Sequence, residues 1–353
     1  MAFLEVKKVK IAGISACVPS GVEETFDYDL LPREMLEKYV ESVGVLKKHR
    51  AKEDQCTSDL CCESAEKLIT DLQWDKSEID LLVFASHTGD YKLPSTSCTL
   101  QHRLGLPTDI MAFDINHGCS GYLYGLSIIG NLMSTGSFKK GLLLVGNTQS
   151  KNVSYYDQST YLIFGDAGTV TALEYQPDNY DLMKFHFLTD GSEFSSVYIP
   201  EGGYRHPITP DSFVMEEDEE GIKRNKTHLR MNGTDVFSFA NSYMPKSIGA
   251  LMNHYDINKD DIDFLVMHQA NKFLCEKIRK KIKIPAEKTP YTFPDYGNTS
   301  GGSIPLTMTL KLNQPLAKEK LKLLMSTIGG GFSVASAYIE TQGDIHCSDL
   351  VYL

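Results

Sequence analysis

Asn258-Lys259-Asp260-Asp261-Ile262-Asp263-Phe264-Leu265-Val266-Met267 reproduces, in polar pattern and in apolar run, the earlier stretch Asp75-Lys76-Ser77-Glu78-Ile79-Asp80-Leu81-Leu82-Val83-Phe84. Both copies end in a continuous apolar run of strand length, which is how a parallel strand covered on both faces reads. Both follow a helical pattern, Thr57 to Leu72 in the first case and Asp235 to His254 in the second. Further out, Leu321-Lys322-Leu323-Leu324-Met325 resembles Gly141-Leu142-Leu143-Leu144-Val145-Gly146. Gly330-Gly331-Phe332-Ser333-Val334-Ala335 likewise resembles Asp166-Ala167-Gly168-Thr169-Val170-Thr171. Apolar strands resemble one another by chance as well, but these matches keep one order. They predict an α/β protein of two similar halves related by pseudo-two-fold symmetry. The expected division is an N-terminal half over 1–176, a connecting and excursion region over 177–230, and a C-terminal half over 231–353.

Between the repeated strands the local signals are consistent. Lys8 to Val18 alternates and is closed by Pro19-Ser20-Gly21, so it reads as a strand. Thr57 or Ser58 is placed to cap the following helix. A short helix is expected near Thr96 to Arg103, then a strand over Ile110 to Asn116. Tyr122 to Met133 is apolar nearly all round, the mark of a buried helix. Asp190 to Arg230, rich in Gly, Pro, Ser and charge, reads as a long excursion on one face that is placed to shape a substrate entrance. Its acidic run Glu216-Glu217-Asp218-Glu219-Glu220 reads as a solvated loop.

Composition narrows the class. The 353 residues carry a formal net charge of −11, which argues against a nucleic-acid partner needing a basic footprint. Charges interrupt the first residues where a signal peptide needs its apolar segment, and no run approaches the roughly 18 apolar residues of a membrane span. A cytoplasmic protein without membrane association is therefore expected. The eight cysteines are scattered without metal-ligand or disulfide spacing, so no metal site is expected and most cysteines read as reduced packing residues.

One cysteine stands apart. In Asp114-Ile115-Asn116-His117-Gly118-Cys119-Ser120-Gly121-Tyr122 a strand runs into a glycine-flanked cysteine and then directly into the buried helix. Small neighbours permit close approach of backbone to a substrate, and a helix N-terminus beside the sulfur favours thiolate. Cys119 reads as a nucleophile, with a buried packing thiol as the open alternative. Such a nucleophile needs a proton-handling partner and oxyanion donors. His268 follows directly on the apolar run Phe264 to Met267, at the strand end where open α/β sheets place ligands, although lone histidines there are often only hydrogen-bonded core residues. Asn298, in Tyr296-Gly297-Asn298-Thr299-Ser300-Gly301-Gly302-Ser303, reads alone as a turn or cap residue. Gly329-Gly330-Gly331 leaves bare backbone N–H groups for a ligand, or simply makes a tight turn.

Taken together these motifs resemble the thiolase-fold condensing enzymes, and specifically β-ketoacyl-acyl-carrier-protein synthase III, over almost the whole chain. The resemblance rests on Gly118 to Tyr122 with Tyr124-Gly125-Leu126, and on Phe164-Gly165-Asp166-Ala167-Gly168. It rests further on Met231-Asn232-Gly233-Thr234-Asp235-Val236-Phe237, His268-Gln269-Ala270-Asn271, Gly297-Asn298-Thr299-Ser300 and Gly329-Gly330-Gly331-Phe332. It implies a five-layered αβαβα core and a Cys119, His268, Asn298 catalytic set. The backbone N–H groups of Cys119 and Gly330 would form the oxyanion hole, and no cofactor is implied. The implied reaction is acyl transfer to Cys119 from an acyl-coenzyme A or acyl-carrier-protein primer. Decarboxylative condensation with malonyl-acyl carrier protein would follow, in a homodimer. Transfer of the Cys119-bound acyl group to an amine or hydroxyl, cysteine hydrolase chemistry, and a non-catalytic partner subunit are the competing readings. The retained His268 and Asn298 speak for condensation.

The departures from that family are equally specific. Where relatives that use coenzyme A clamp its adenine with a Trp and an Arg, this chain has Lys38 and Ser42. Phe273 replaces an Arg often found after the His-Gln-Ala-Asn motif. Lys272, Lys277, Arg279, Lys280 and Lys281 still make a basic helix able to meet an acidic carrier protein, or a plain solvated face. Leu93 stands where the family commonly has a phenylalanine ending the acyl pocket across the dimer, and His117 replaces a residue that is usually small.

Overall fold

The computed structural model describes residues 2–353. The first part of the chain forms β1 (Ala2–Val6), β2 (Val9–Val18), α1 (Thr57–Asp71), β3 (Leu81–Ala85), α2 (Thr96–Arg103), β4 (Met111–Ile115), α3 (Gly121–Ser134), β5 (Lys140–Asn147) and β6 (Ala167–Tyr175). The second forms β7 (Leu182–Thr189), α4 (Gly233–His254), β8 (Phe264–Met267), α5 (Lys272–Ile282), α6 (Ser303–Lys311), β9 (Lys322–Gly329), β10 (Ser333–Glu340), and the short β11 (His346–Cys347) and β12 (Val351–Tyr352).

The duplication is visible in the two sheets. One contains the run β2-β6-β5-β3 and the other β7-β10-β9-β8. In each run two antiparallel pairings are followed by one parallel pairing. Only the first sheet is extended by a further parallel strand, β4. The copies also exchange ends, since β1 pairs with β7 of the second sheet while β11 and β12 pair with β2 of the first.

Strand parity makes the layers. Leu81, Val83 and Ala85 of β3, Leu143 and Val145 of β5, and Leu323 and Met325 of β9 all point into one central core, together with Tyr122, Leu126 and Ile129 of α3. Leu82, Phe84, Leu142 and Leu144 point the other way, onto α1 and α2. On the far side Leu265, Met267 and Leu324 pack on α4 and α5. Because successive strand side chains face opposite sides, uniformly apolar strands require cover on both faces, and the order helix, sheet, helix, sheet, helix follows. The thiolase-like architecture is therefore built as the residues dictate.

Two local expectations change. The span expected as connecting chain contains β7, a full strand of the second sheet whose Met183 and Phe185 are completely buried. Its alternation, Leu182-Met183-Lys184-Phe185-His186-Phe187, is a strand signal diluted by the polar residues after it. The cap of α1 is Cys56 rather than Thr57 or Ser58, because the Asp59 carboxylate accepts the Cys56 N–H at 2.6 Å. Thr57 instead bonds Thr88 and Thr148.

The 190–230 excursion is closed at its base by the pairing of Val197–Tyr198 with Arg230–Met231. Its acidic run forms an exposed hairpin in which Glu217 meets Lys223, Asp218 meets Arg224 and Glu216 meets Arg230. Among the described residues no helix is long and apolar enough to cross a membrane.

Candidate active site

Cys119 lies in the turn between β4 and α3. The His117 N–H donates to the Ile115 carbonyl at 2.9 Å and the Gly121 N–H to the Gly118 carbonyl at 2.7 Å, which tightens the turn and leaves Ser120 as the helix cap. The Asp114 carboxylate accepts the Thr96 and Ser97 N–H groups at 2.7 and 2.8 Å and so anchors the strand end to α2. Burial pushes the Cys119 thiol up, opposed by a contact with the Ser300 hydroxyl and by its own backbone N–H. The helix terminus expected to favour thiolate is present, but desolvation outweighs the hydrogen bonds.

His268 follows β8, whose parallel pairing with β9 fixes its position, and its own N–H donates to the Ser326 carbonyl at 2.9 Å. The ring is buried, and desolvation lowers its pKa to about 4, so the imidazole is neutral at physiological pH. Its Nδ1 is 2.9 Å from Ser303 Oγ, which also accepts the Gln269 N–H at 3.2 Å. In the tautomer that carries the ring proton on Nε2, the Ser303 hydroxyl donates to Nδ1 while its oxygen accepts the Gln269 N–H.

Asn298 is held in line with the Phe164 segment. Its N–H donates to the Ile163 carbonyl at 2.8 Å, and the Gly165 N–H donates to the Asn298 carbonyl at 3.1 Å. Its side-chain Oδ1 accepts the Ser300 N–H at 2.9 Å. With the oxygen thus committed, the amide NH2 is the end free for a ligand. The loop packs directly on the Cys119 turn: a Cβ at Gly301 would lie 2.6 Å from the Gly118 carbonyl oxygen, so only glycine fits.

The glycine turn joins β9 to β10. Gly331 has φ +71° and Phe332 φ +48°, a left-handed pair that Gly331 tolerates freely and that Phe332 holds through stacking on Phe239 at 4.0 Å. Cys119, His268, Asn298, Gly329 and Gly330 line one cavity of about 440 Å3. Its walls include Val197 and Met231, the two residues that close the base of the excursion, and Phe273 from α5.

The structure thus brings together Cys119, His268, Asn298 and Gly330. Leu93 lies outside this set: it is 85 % exposed in the loop before α2 and is not part of the cavity wall. Lys272, Lys277, Lys280 and Lys281 are exposed on α5. Lys272 Nζ donates to the Glu41 carbonyl at 3.0 Å, which joins this helix to the segment carrying Lys38 and Ser42. Arg279 is turned aside into an ion pair with Glu276 at 2.6 Å.

His117 stacks on Tyr124 and sits 3.1 Å from Ser120 Oγ, which reaches Ser333 Oγ at 2.8 Å. It thereby ties the Cys119 turn to the strand leaving the glycine turn. Sequence reading passed over Ser303 and Ser300, although both lie in the stretch quoted for Asn298. It also passed over Asn147, whose one signal is its place at the C-terminal end of a buried strand.

Residues 113–191 match the family described as 3-oxoacyl-[acyl-carrier-protein (ACP)] synthase III, and residues 252–341 the one described as 3-oxoacyl-[acyl-carrier-protein (ACP)] synthase III C terminal. The chain is 31% identical over 339 residues to a β-ketoacyl-[acyl-carrier-protein] synthase III of Campylobacter fetus, covering 96% of this chain and 100% of the relative. A protein of the same name from Streptococcus agalactiae is 30% identical, with 94% and 98% covered. The crystal structure of a 3-oxoacyl-(acyl-carrier protein) synthase from Burkholderia xenovorans superposes with a TM-score of 0.93 at 35% identity, covering 100% of this chain and 99% of that one.

Proposed function

The chain belongs to the 3-oxoacyl-[acyl-carrier-protein] synthase III family, and from that premise we propose that it is an acyltransferase of the condensing type acting through Cys119, His268 and Asn298. The Cys119 thiolate attacks the carbonyl of a primer thioester, delivered on coenzyme A or on a carrier protein. The S–C bond to the enzyme forms as the carrier thiol leaves, and the tetrahedral oxyanion lies against the backbone N–H groups of Cys119 and Gly330. A malonyl group on acyl carrier protein then enters and loses carbon dioxide. The electron pair left on its α-carbon is delocalised onto the thioester oxygen, which takes hydrogen bonds from His268 Nε2–H and the Asn298 amide. Collapse of this enolate onto the acyl-Cys119 carbonyl makes the new carbon–carbon bond and releases Cys119.

The observation that carries this reading is the convergence of these groups on one cavity, with both donors neutral. A neutral imidazole polarises the enolate oxygen without quenching it by proton transfer, which keeps the carbon nucleophilic. Transfer to an amine or hydroxyl needs no donor beyond those for the acyl oxyanion, so the committed orientation of Asn298 favours condensation. The exposed lysines of α5 suit an acidic carrier protein. A homodimer belongs to this reading, because Leu93 needs a second copy to reach an acyl pocket. So does a cytoplasmic setting, with all eight cysteines free. Domain limits of 1–176 and 231–353 are proposed for the two halves, joined by 177–230, from which β7 is contributed to the second sheet.

The test mixes the protein with acyl thioesters and malonyl-acyl carrier protein. Carbon dioxide and a β-ketoacyl thioester are expected, both lost in Cys119→Ala. Absence of decarboxylation with every malonyl carrier would sink the proposal.

A further inference from the structure

Ser300 sits at φ +54°, a left-handed conformation uncommon for a residue with a side chain, and is 3 % exposed. Its hydroxyl oxygen lies 3.5 Å from Cys119 Sγ. Behind it, Asn147 is fully buried and donates through Nδ2 to Ser300 Oγ at 3.0 Å. The orientation of that amide is settled by its other end. Oδ1 accepts the His87 backbone N–H at 3.0 Å, a donor that an amide nitrogen cannot take, and also lies 3.3 Å from the Ser86 hydroxyl. Ser300 Oγ is therefore an acceptor toward Asn147, and its proton is free for the sulfur.

We infer that Ser300 is a further catalytic group: its hydroxyl donates to the Cys119 sulfur and stabilises the thiolate, and Asn147 is the positioning residue that aims it. A thiolate is an acceptor only, so once the thiol proton has gone to solvent the contact has a single sense, O–H to sulfur. No proton passes to Ser300 or Asn147. The strained backbone is accounted for in the same way, since an over-determined conformation of this kind persists where the surroundings hold a group in place for function. The direction of the Ser300 contribution to the sulfur, which favours the charged form against burial, agrees with the geometry. This inference rests on the reading of Cys119 as nucleophile.

Alkylation separates the two claims. Iodoacetamide forms an S–C bond with a thiolate and releases iodide, so its rate against pH reports the thiolate fraction, and peptide mass spectrometry assigns the rate to each cysteine. In the full-length protein Cys119 is expected to react, with the exposed Cys98 as internal reference. In Ser300→Ala and in Ser300→Gly, which relieves the left-handed backbone while removing the hydroxyl, the Cys119 midpoint should move up by about one pH unit. Its rate at neutral pH should fall about tenfold, while Cys98 is unchanged. Asn147→Ala should move the midpoint the same way by less. A Cys119 profile unchanged in whichever Ser300 variant folds would overturn the role of Ser300. A wild-type Cys119 that alkylates no faster than a buried packing cysteine such as Cys61 would instead overturn the nucleophile reading itself.

Discussion

In the proposed reaction the neutrality of His268 and the fixed amide of Asn298 carry the chemistry at the scale of single residues, and they make two predictions. His268→Ala and Asn298→Ala should each lower carbon dioxide release by about 100- to 1,000-fold, the usual effect of deleting one buried donor to a developing oxyanion. Both should still form the acyl-Cys119 adduct, as read by intact mass. The pH dependence should split between the half-reactions. Burial raises the Cys119 thiol, so its thiolate fraction, and the rate of enzyme acylation, should climb as pH rises from neutrality. His268, at about 4, is charged only in acid, so decarboxylation by pre-acylated protein should be flat from about pH 6 to 8. Stopped-flow acylation and single-turnover decarboxylation across that range check both. The meeting of Cys119, His268 and Asn298 at one cavity was legible in the sequence because each sits at a strand end or small-residue turn within a repeated framework. Ser303 and Asn147 were not, because their roles come from neighbours distant in the chain. His117 was legible as an anomaly, and only its contact with Ser120 and Tyr124 gives it a place.

Among the elements, the joins between sheets matter most. Asp181, in the segment leading into β7, accepts the Ile11 N–H at 2.7 Å and the Gln342 N–H at 3.1 Å, and so ties a strand of one sheet to the end of a strand of the other. Desolvation raises its pKa to about 7 despite those two bonds. A carboxyl whose folded value exceeds its unfolded one contributes stability that is complete below about pH 4 and is lost as pH rises through about 7. Urea midpoints should therefore fall between pH 5 and 8 more steeply in the wild type than in Asp181→Asn; parallel curves would contradict the assignment. The sequence reading missed β7 because its alternation is followed by a long polar excursion, and missed the Cys56 cap because cysteine is an uncommon cap residue. It read the strands β3, β5 and β8 correctly because a continuous apolar run has few other uses.

For the molecule as a whole, the duplicated sheets put the Cys119 turn on one copy and the His268 and glycine turns on the other, facing across one cavity. The fold was legible from repeated patterns, whereas the exchange of β1 and β11–β12 between sheets was not, since short terminal strands carry little pattern of their own. The outer position of β4 and the 85 % exposure of Leu93 support the proposed dimer. Light scattering should give about twice 39.4 kDa, and a mass of one chain at micromolar concentration would contradict it. In the proposed reaction an acyl group on Cys119 is consumed in carbon–carbon bond formation. Its most direct test is a single turnover in which protein carrying a labelled acyl group on Cys119 is mixed with malonyl-acyl carrier protein. The prediction is loss of the acyl adduct with equal release of carbon dioxide and appearance of the label in a β-ketoacyl thioester. Loss of the adduct to water or to an amine without carbon dioxide would contradict the account.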